Sequence, residues 1–371
     1  MKFAFTILIC AHCFYSKTQE EILANKSNYQ VEFNLKGAFL LPHSGAIKSL
    51  MNGTFPVYEF GAELPNLGNK HFHKNFPLNS WGVVFNFSPL TNNENLGFGF
   101  GILPYLNMNF LKKKESKWKF RLASGLGYIQ KPFNNITNPK NMALGSYINN
   151  ITDFTLQYQT RITGELVTKI GIGLQHFSNG AFTRPNLGLN LPYLSLSIKA
   201  KKKNSDDKAT KPKITKEKNN FFIGSFYGTK TLTFSPAERH HVFQISGGYS
   251  LGFTRGDFIH LQTDIIFDES LPYLRDYDYE LKSVDKLILG IFSTYEKKFG
   301  QIGTLIGLGF YILSPYESFT GNWNYANKGG YLYNRIGIKY HITKRVCAQV
   351  SARTHLGSAD NTEFGIVYNL Q

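Results

Sequence analysis

Apolar residues fall on every second position along most of the chain. In LGFGFGILPYLNMNF, residues 96–110, Phe98, Phe100, Ile102, Leu106 and Met108 alternate with Gly97, Gly99, Gly101, Tyr105 and Asn107. The same alternation sets Trp118, Phe120 and Leu122 against Lys117, Lys119 and Arg121, and Leu332, Ile336 and Ile338 against Tyr333, Arg335 and Lys339. A period of two places the two sets on opposite faces of a strand. It predicts strands near 28–41, 54–64, 80–88, 96–110, 117–129, 150–160, 164–178, 190–199, 220–229, 241–252, 256–268, 284–297, 301–313, 331–342, 344–354 and 361–370. Allowing for boundary error, the expected number is about 12–16.

These segments run to roughly 10–14 residues, whereas strands of soluble sandwiches are usually about 5–6. The longer kind crosses a bilayer at a tilt. The expectation is therefore an all-β, antiparallel transmembrane β-barrel with an apolar outside and a small or polar inside. A lysine-rich segment at about 200–219 separates the strands of 28–200 from those of 220–371. Two small barrels in tandem fit this layout. One barrel with a long loop needs fewer assumptions and is the favoured expectation.

Composition supports strands: aromatics make up 15% of residues, and the 34 glycines suit turns and crowded interiors. The start, MKFAFTILICAHCFYSKTQE, has one basic residue followed by an apolar stretch too short to span a bilayer as a helix. It reads as a signal peptide over about residues 1–16. Its removal would take Cys10 and Cys13 and leave Cys347 alone, so no internal disulfide is expected. The formal charge of +16 raises the question of nucleic acid. Much of the excess lies between Lys199 and Lys218, where nine lysines face three acids with almost no apolar residue, the mark of a solvated linker. No nucleic-acid partner is expected, and the basic charge suits anionic lipid head groups.

Candidate chemistry concentrates in GIGLQHFSNGAFTRPNLGLN, residues 171–190. Ile170, Ile172 and Leu174 share a strand face with His176 and Ser178, so the imidazole and hydroxyl continue the lipid-facing row where membrane meets water. Residues two apart on a strand are separated by about 6.5–7 Å at the backbone, which sets a base beside a nucleophile. Asn190, on the apolar-side row of the next strand, is placed to meet the far nitrogen of His176 and fix its tautomer, a weaker support than a carboxylate.

Other motifs carry less. Ser250 lies in G-x-S-x-G, but in mid-strand, without the strand, turn and helix of a nucleophile elbow. His71 and His73 sit in a polar loop with no recognisable metal partners. Glu363 belongs to the row facing the lumen, away from His176.

The string H-F-S-N-G, followed by Pro185, Asn186 and Gly188, resembles the PagL-type lipid A deacylases (acyloxyacyl hydrolases), outer-membrane barrels that cleave an ester-linked acyl chain from lipid A. GSYIN at 145–149 adds weaker support. The resemblance implies acyl-ester hydrolysis with His176 as base, Ser178 as nucleophile, and Asn179 and the Gly180 amide as candidate donors to the oxyanion; where the family has an acidic glutamate, twelve residues beyond the serine, this chain has Asn190. The same residues also resemble outer-membrane phospholipase A, whose triad is His-Ser-Asn, although AFTRPNLGL lacks its calcium-holding serine- and arginine-rich run. The deacylase reading comes first. It implies a membrane lipid substrate, location in the outer membrane of a Gram-negative bacterium and no cofactor, with calcium expected only under the phospholipase alternative, and it leaves a homodimer open. A third reading is a non-catalytic pore: sixteen strands in one barrel would enclose a channel whose lysines and arginines favour anions.

Overall fold

The computed structural model describes residues 29–65, 78–90, 94–110, 116–200, 217–232, 238–253, 256–271, 286–314, 332–355 and 358–370. The signal-peptide region, most of the lysine-rich segment, His71 and His73 lie outside them.

The described residues form sixteen strands: β1 (Gln30–Phe39), β2 (Thr54–Pro65), β3 (Leu78–Pro89), β4 (Phe98–Asn109), β5 (Trp118–Ile129), β6 (Ile148–Arg161), β7 (Leu166–Ser178), β8 (Leu189–Ala200), β9 (Asn220–Thr231), β10 (Arg239–Gly252), β11 (Asp257–Asp268), β12 (Leu287–Phe299), β13 (Ile302–Leu313), β14 (Leu332–His341), β15 (Val346–His355) and β16 (Ser358–Leu370). Each lies within a few residues of its expected position. One short helix, α1 (Gly45–Lys48), follows β1 and is capped by the Ser44 hydroxyl, which accepts from Ile47 N–H. Among the described residues, no helix is long and apolar enough to cross a membrane.

The strands close into two barrels, β1–β8 and β9–β16, and not into the single large barrel favoured from sequence. Closure runs from Val31↔Ala200 to Ala38↔Tyr193 between β1 and β8, and from Thr362↔Thr229 to Leu370↔Phe221 between β16 and β9. Every strand therefore has two neighbours, which removes the open edges that would otherwise recruit another chain. Alternation fixes which face of a strand is apolar and carries no information about its partner, so one barrel of sixteen strands and two of eight read alike in the sequence.

The face assignment holds strand by strand. On β7, Ile170, Ile172 and Leu174 are exposed on the outer wall, while Lys169, Gln175 and Phe177 are buried inside. An eight-stranded barrel is just wide enough to be filled by side chains. In the first barrel Lys36 pairs with Glu59 and Asp153 at 2.6 and 2.7 Å, Arg121 and Lys169 each pair with Glu32 at 2.7 Å, and Lys199 pairs with Glu63 at 2.8 Å. In the second, Arg335 pairs with Glu363 at 2.8 Å and Lys230 with Asp268 at 2.6 Å. Buried charge is tolerated where it is paired and hydrogen-bonded. The lumenal cations that would have lined an anion pore are neutralised within packed interiors. At one end of the first barrel the core turns apolar, as Leu40, Ile47, Leu50, Leu90, Phe177 and Leu189 pack beneath the loops. That packed end carries the site.

Candidate active site

The β7–β8 hairpin builds the centre. His176 lies directly across the ladder from Asn190, and the loop 179–188 returns over the end of the two strands. His176, Ser178 and Asn190 all project from the outer wall, as period two requires, and each is half-buried under the loop. His176 Nδ1–H donates to Asn190 Oδ1 at 2.7 Å. Asn190 Nδ2 lies 3.3 Å from the Nδ1 of His43, in the loop leading into α1, and His43 Nε2 lies 3.0 Å from Leu187 O.

Ser178 is held differently from the expectation. Its Oγ donates to Asn186 Oδ1 at 3.3 Å and accepts from Asn186 Nδ2 at 3.0 Å and from Gly180 N–H at 3.1 Å. No hydrogen bond joins it to His176 among the described residues. The Asn186 amide draws the hydroxyl away from an imidazole on the same strand face, two residues back.

The two sequence-derived oxyanion donors separate. Gly180 N–H points at Ser178 Oγ, whereas the Asn179 side-chain amide is spent on Ser146 Oγ at 3.0 Å and Thr183 O at 2.8 Å. Asn179 thus braces the loop. Asn186, seen in the sequence only as part of the P-N-x-G string, supplies the second N–H beside the serine and also receives Asn179 N–H at 2.9 Å. Gly188 has φ +78°, and a Cβ there would come 2.8 Å from His176 Cε1. Only a residue without a side chain lets the loop cross that close to the imidazole.

Two surroundings extend the site. Asn150 and Thr152 of β6 lie across from Ser178 and His176, and with Ser124 they form a polar strip on the otherwise apolar outer wall. On the other side the loop rests on the rim of the second barrel. Arg239 donates to Phe182 O at 3.1 Å and covers the Phe182 ring at 4.3 Å, Arg184 N–H donates to Thr231 Oγ1 at 3.0 Å, and Thr362 Oγ1 donates to Gly180 O at 3.3 Å.

Elsewhere, Ser250 is buried in the second lumen, 2.7 Å from His260 Nδ1, and His260 Nε2 lies 2.9 Å from Glu296 Oε2. This is a Ser-His-Glu line, but the adjoining space of about 20 Å³ has room for one water and none for an acyl ester. Glu363 faces the lumen as expected and is paired with Arg335. Among the described residues, no group of three or more His, Cys, Asp or Glu is arranged to hold a metal ion.

Two family models match the chain. The one described as lipid A 3-O-deacylase (PagL) covers residues 58–199, and the one described as acyloxyacyl hydrolase, C-terminal domain, covers residues 219–371. The chain belongs to the PagL family of lipid A deacylases. The first match takes in the His176 hairpin, and the second spans β9 to β16. PagL membership makes the protein an outer-membrane hydrolase acting on acyl esters of lipid A. No curated protein matches the chain. Solved structures with some similarity include the CymD monoaromatic hydrocarbon channel (7% identity, 93% of this chain and 89% of that one, TM-score 0.19) and a Salmonella typhi OmpF complex with daunomycin (10%, 93% and 99%, TM-score 0.19). CdiB from Acinetobacter baumannii is similar at 10% identity, over 92% of this chain and 60% of that one, with a TM-score of 0.20. At such scores the likeness carries no argument.

Proposed function

We propose that His176, Ser178 and Asn190, with Gly180 and Asn186 as donors, carry out the deacylation of lipid A that PagL membership assigns to this barrel. The observation that carries this reading is the 2.7 Å bond from His176 Nδ1–H to Asn190 Oδ1 on the lipid-facing wall, which leaves Nε2 free of hydrogen and able to act as base. In the reactive arrangement the Ser178 hydroxyl leaves Asn186 and hydrogen-bonds to that nitrogen. His176 Nε2 takes the hydroxyl proton as Oγ bonds to the ester carbonyl carbon, and the oxyanion receives Gly180 N–H and Asn186 Nδ2–H. Collapse breaks the bond to the sugar oxygen, which leaves with the proton from Nε2. Water, deprotonated in turn by His176, then attacks the acyl carbon, and the intermediate collapses by breaking the bond to Ser178 Oγ, which takes the proton back from Nε2 as the fatty acid leaves.

Placement suits the substrate. At the end opposite the site four of the six connections within the barrels are short, at 162–165, 253–256, 300–301 and 342–345, the kind that face the periplasm in such barrels, while 66–77 and 110–117 are longer. The site then lies at the outer leaflet, and an ester can reach Ser178 sideways without leaving the bilayer.

The test is fatty-acid release from lipid A by the purified full chain. Ser178→Ala is expected to lower turnover by roughly 10³-fold or more. Undiminished release by this variant refutes the assignment. Asn190 favours one second reading, the phospholipase: lysophospholipid formed while lipid A stays intact would establish it.

A further inference from the structure

The unusual member of the site is the neutral amide at 190. A carboxylate accepts from an imidazole with either oxygen, but an amide does so only when its oxygen faces the ring. Turned over, Asn190 would present N–H to His176 Nδ1 and force the proton onto Nε2, the nitrogen that must be bare. Something must hold the amide one way round.

We infer that His43 does this, as a positioning residue for the catalytic imidazole. The inference rests on the roles proposed above for His176 and Asn190. Two carbonyls that can only accept flank the His43 ring, Leu187 O at 3.0 Å from Nε2 and Leu41 O at 3.3 Å from Nδ1, and the shorter contact together with the Asn190 amide beside Nδ1 places the hydrogen on Nε2. In the neutral ring Nδ1 is then bare and accepts from Asn190 Nδ2 at 3.3 Å. That turns Asn190 Oδ1 towards His176, which donates its Nδ1–H at 2.7 Å. Each bond fixes the direction of the next, from a backbone carbonyl to the base. His43 is itself held in place: Leu41 N–H donates to Asn190 O at 2.9 Å, extending the β1–β8 ladder, and Ile47 and Leu50 anchor the following turn in the core. The ring is exposed, and among the described residues no hydrogen bond joins it to Ser178, Gly180 or Asn186; its hydrogen-bonded link to the base runs through Asn190.

The test compares kcat and KM for lipid A deacylation by the full chain. His43→Ala is expected to lower kcat by roughly tenfold to a hundredfold, the range seen when an orienting partner of a functional histidine is lost, with KM within about twofold. His43→Gln, whose amide oxygen can accept from Asn190 while its N–H reaches Leu187 O, is expected to recover most of kcat. In an Asn190→Asp background the carboxylate needs no orienting, so His43→Ala is expected to cost less than about threefold. Equal losses in both backgrounds, a glutamine variant no better than alanine, or an unchanged kcat in His43→Ala each overturn the inference. Failure of the underlying assignment is distinguishable, because Ser178→Ala would then keep its activity whatever residue stands at 43.

Discussion

Asn190 gives the sharpest perturbation of the site, because one side chain can be removed or charged with little change of shape. Asn190→Leu takes away the acceptor 2.7 Å from His176 Nδ1 and leaves a half-buried N–H without a partner. Such a loss costs about 1–3 kcal/mol. At about 1.4 kcal/mol per tenfold, kcat is expected to fall roughly 5- to 150-fold. Asn190→Asp works in the other direction. A neutral hydrogen bond contributes about 0.5–1.5 kcal/mol and one to a charged group about 1.5–3, and the gain is realised only when His176 becomes an imidazolium in the transition state. Solvent at the membrane surface reduces it, so a gain of about 1 kcal/mol, or roughly fivefold in kcat, is expected. The assay is steady-state release of fatty acid from lipid A in mixed micelles, with the folded fraction of each variant checked by circular dichroism. A leucine variant within twofold of the wild type would refute the role given to the amide.

Two further substitutions probe what holds the site. Gly188→Ala sets a Cβ 2.8 Å from the His176 ring at φ +78°. A displacement of about 1 Å can cost around 10² in rate, so deacylation is expected to drop by more than about tenfold while the barrel still forms; an unchanged rate would show that the imidazole tolerates the shift. Lys36→Met leaves Glu59 and Asp153 buried without their ammonium partner at 2.6 and 2.7 Å. Stability measured by urea unfolding is expected to fall by about 3–5 kcal/mol, and an unchanged midpoint would mean the lumen is wetter than its packing implies.

The strands were legible because half-buried walls impose period two, and each of the sixteen begins and ends within a few residues of where the alternation does. Closure was not, since the pairing of β1 with β8 depends on ladder register rather than on any residue pattern. His176, Ser178 and Asn190 could be read from the sequence for the same reason as the strands: two share a face by spacing, and the third sits on the hairpin partner. The loop resisted. Nothing in the local sequence separates Asn179, which braces the turn, from Asn186, which meets the serine, because both are asparagines in an irregular segment whose path is set by its contacts with Ser146 and the second barrel. His43 lies 147 positions before Asn190, and only the β1–β8 closure brings the two together.

The most direct measurement is covalent labelling of the folded chain in detergent with a long-chain alkyl phosphonate ester, an acyl-ester mimic that modifies an activated serine, followed by peptide mass spectrometry. A single adduct on Ser178, abolished in His176→Ala, is the expected result. An adduct on Ser250 instead, or labelling of Ser178 that persists without the imidazole, would contradict an outward-facing histidine–serine centre on the wall of the first barrel.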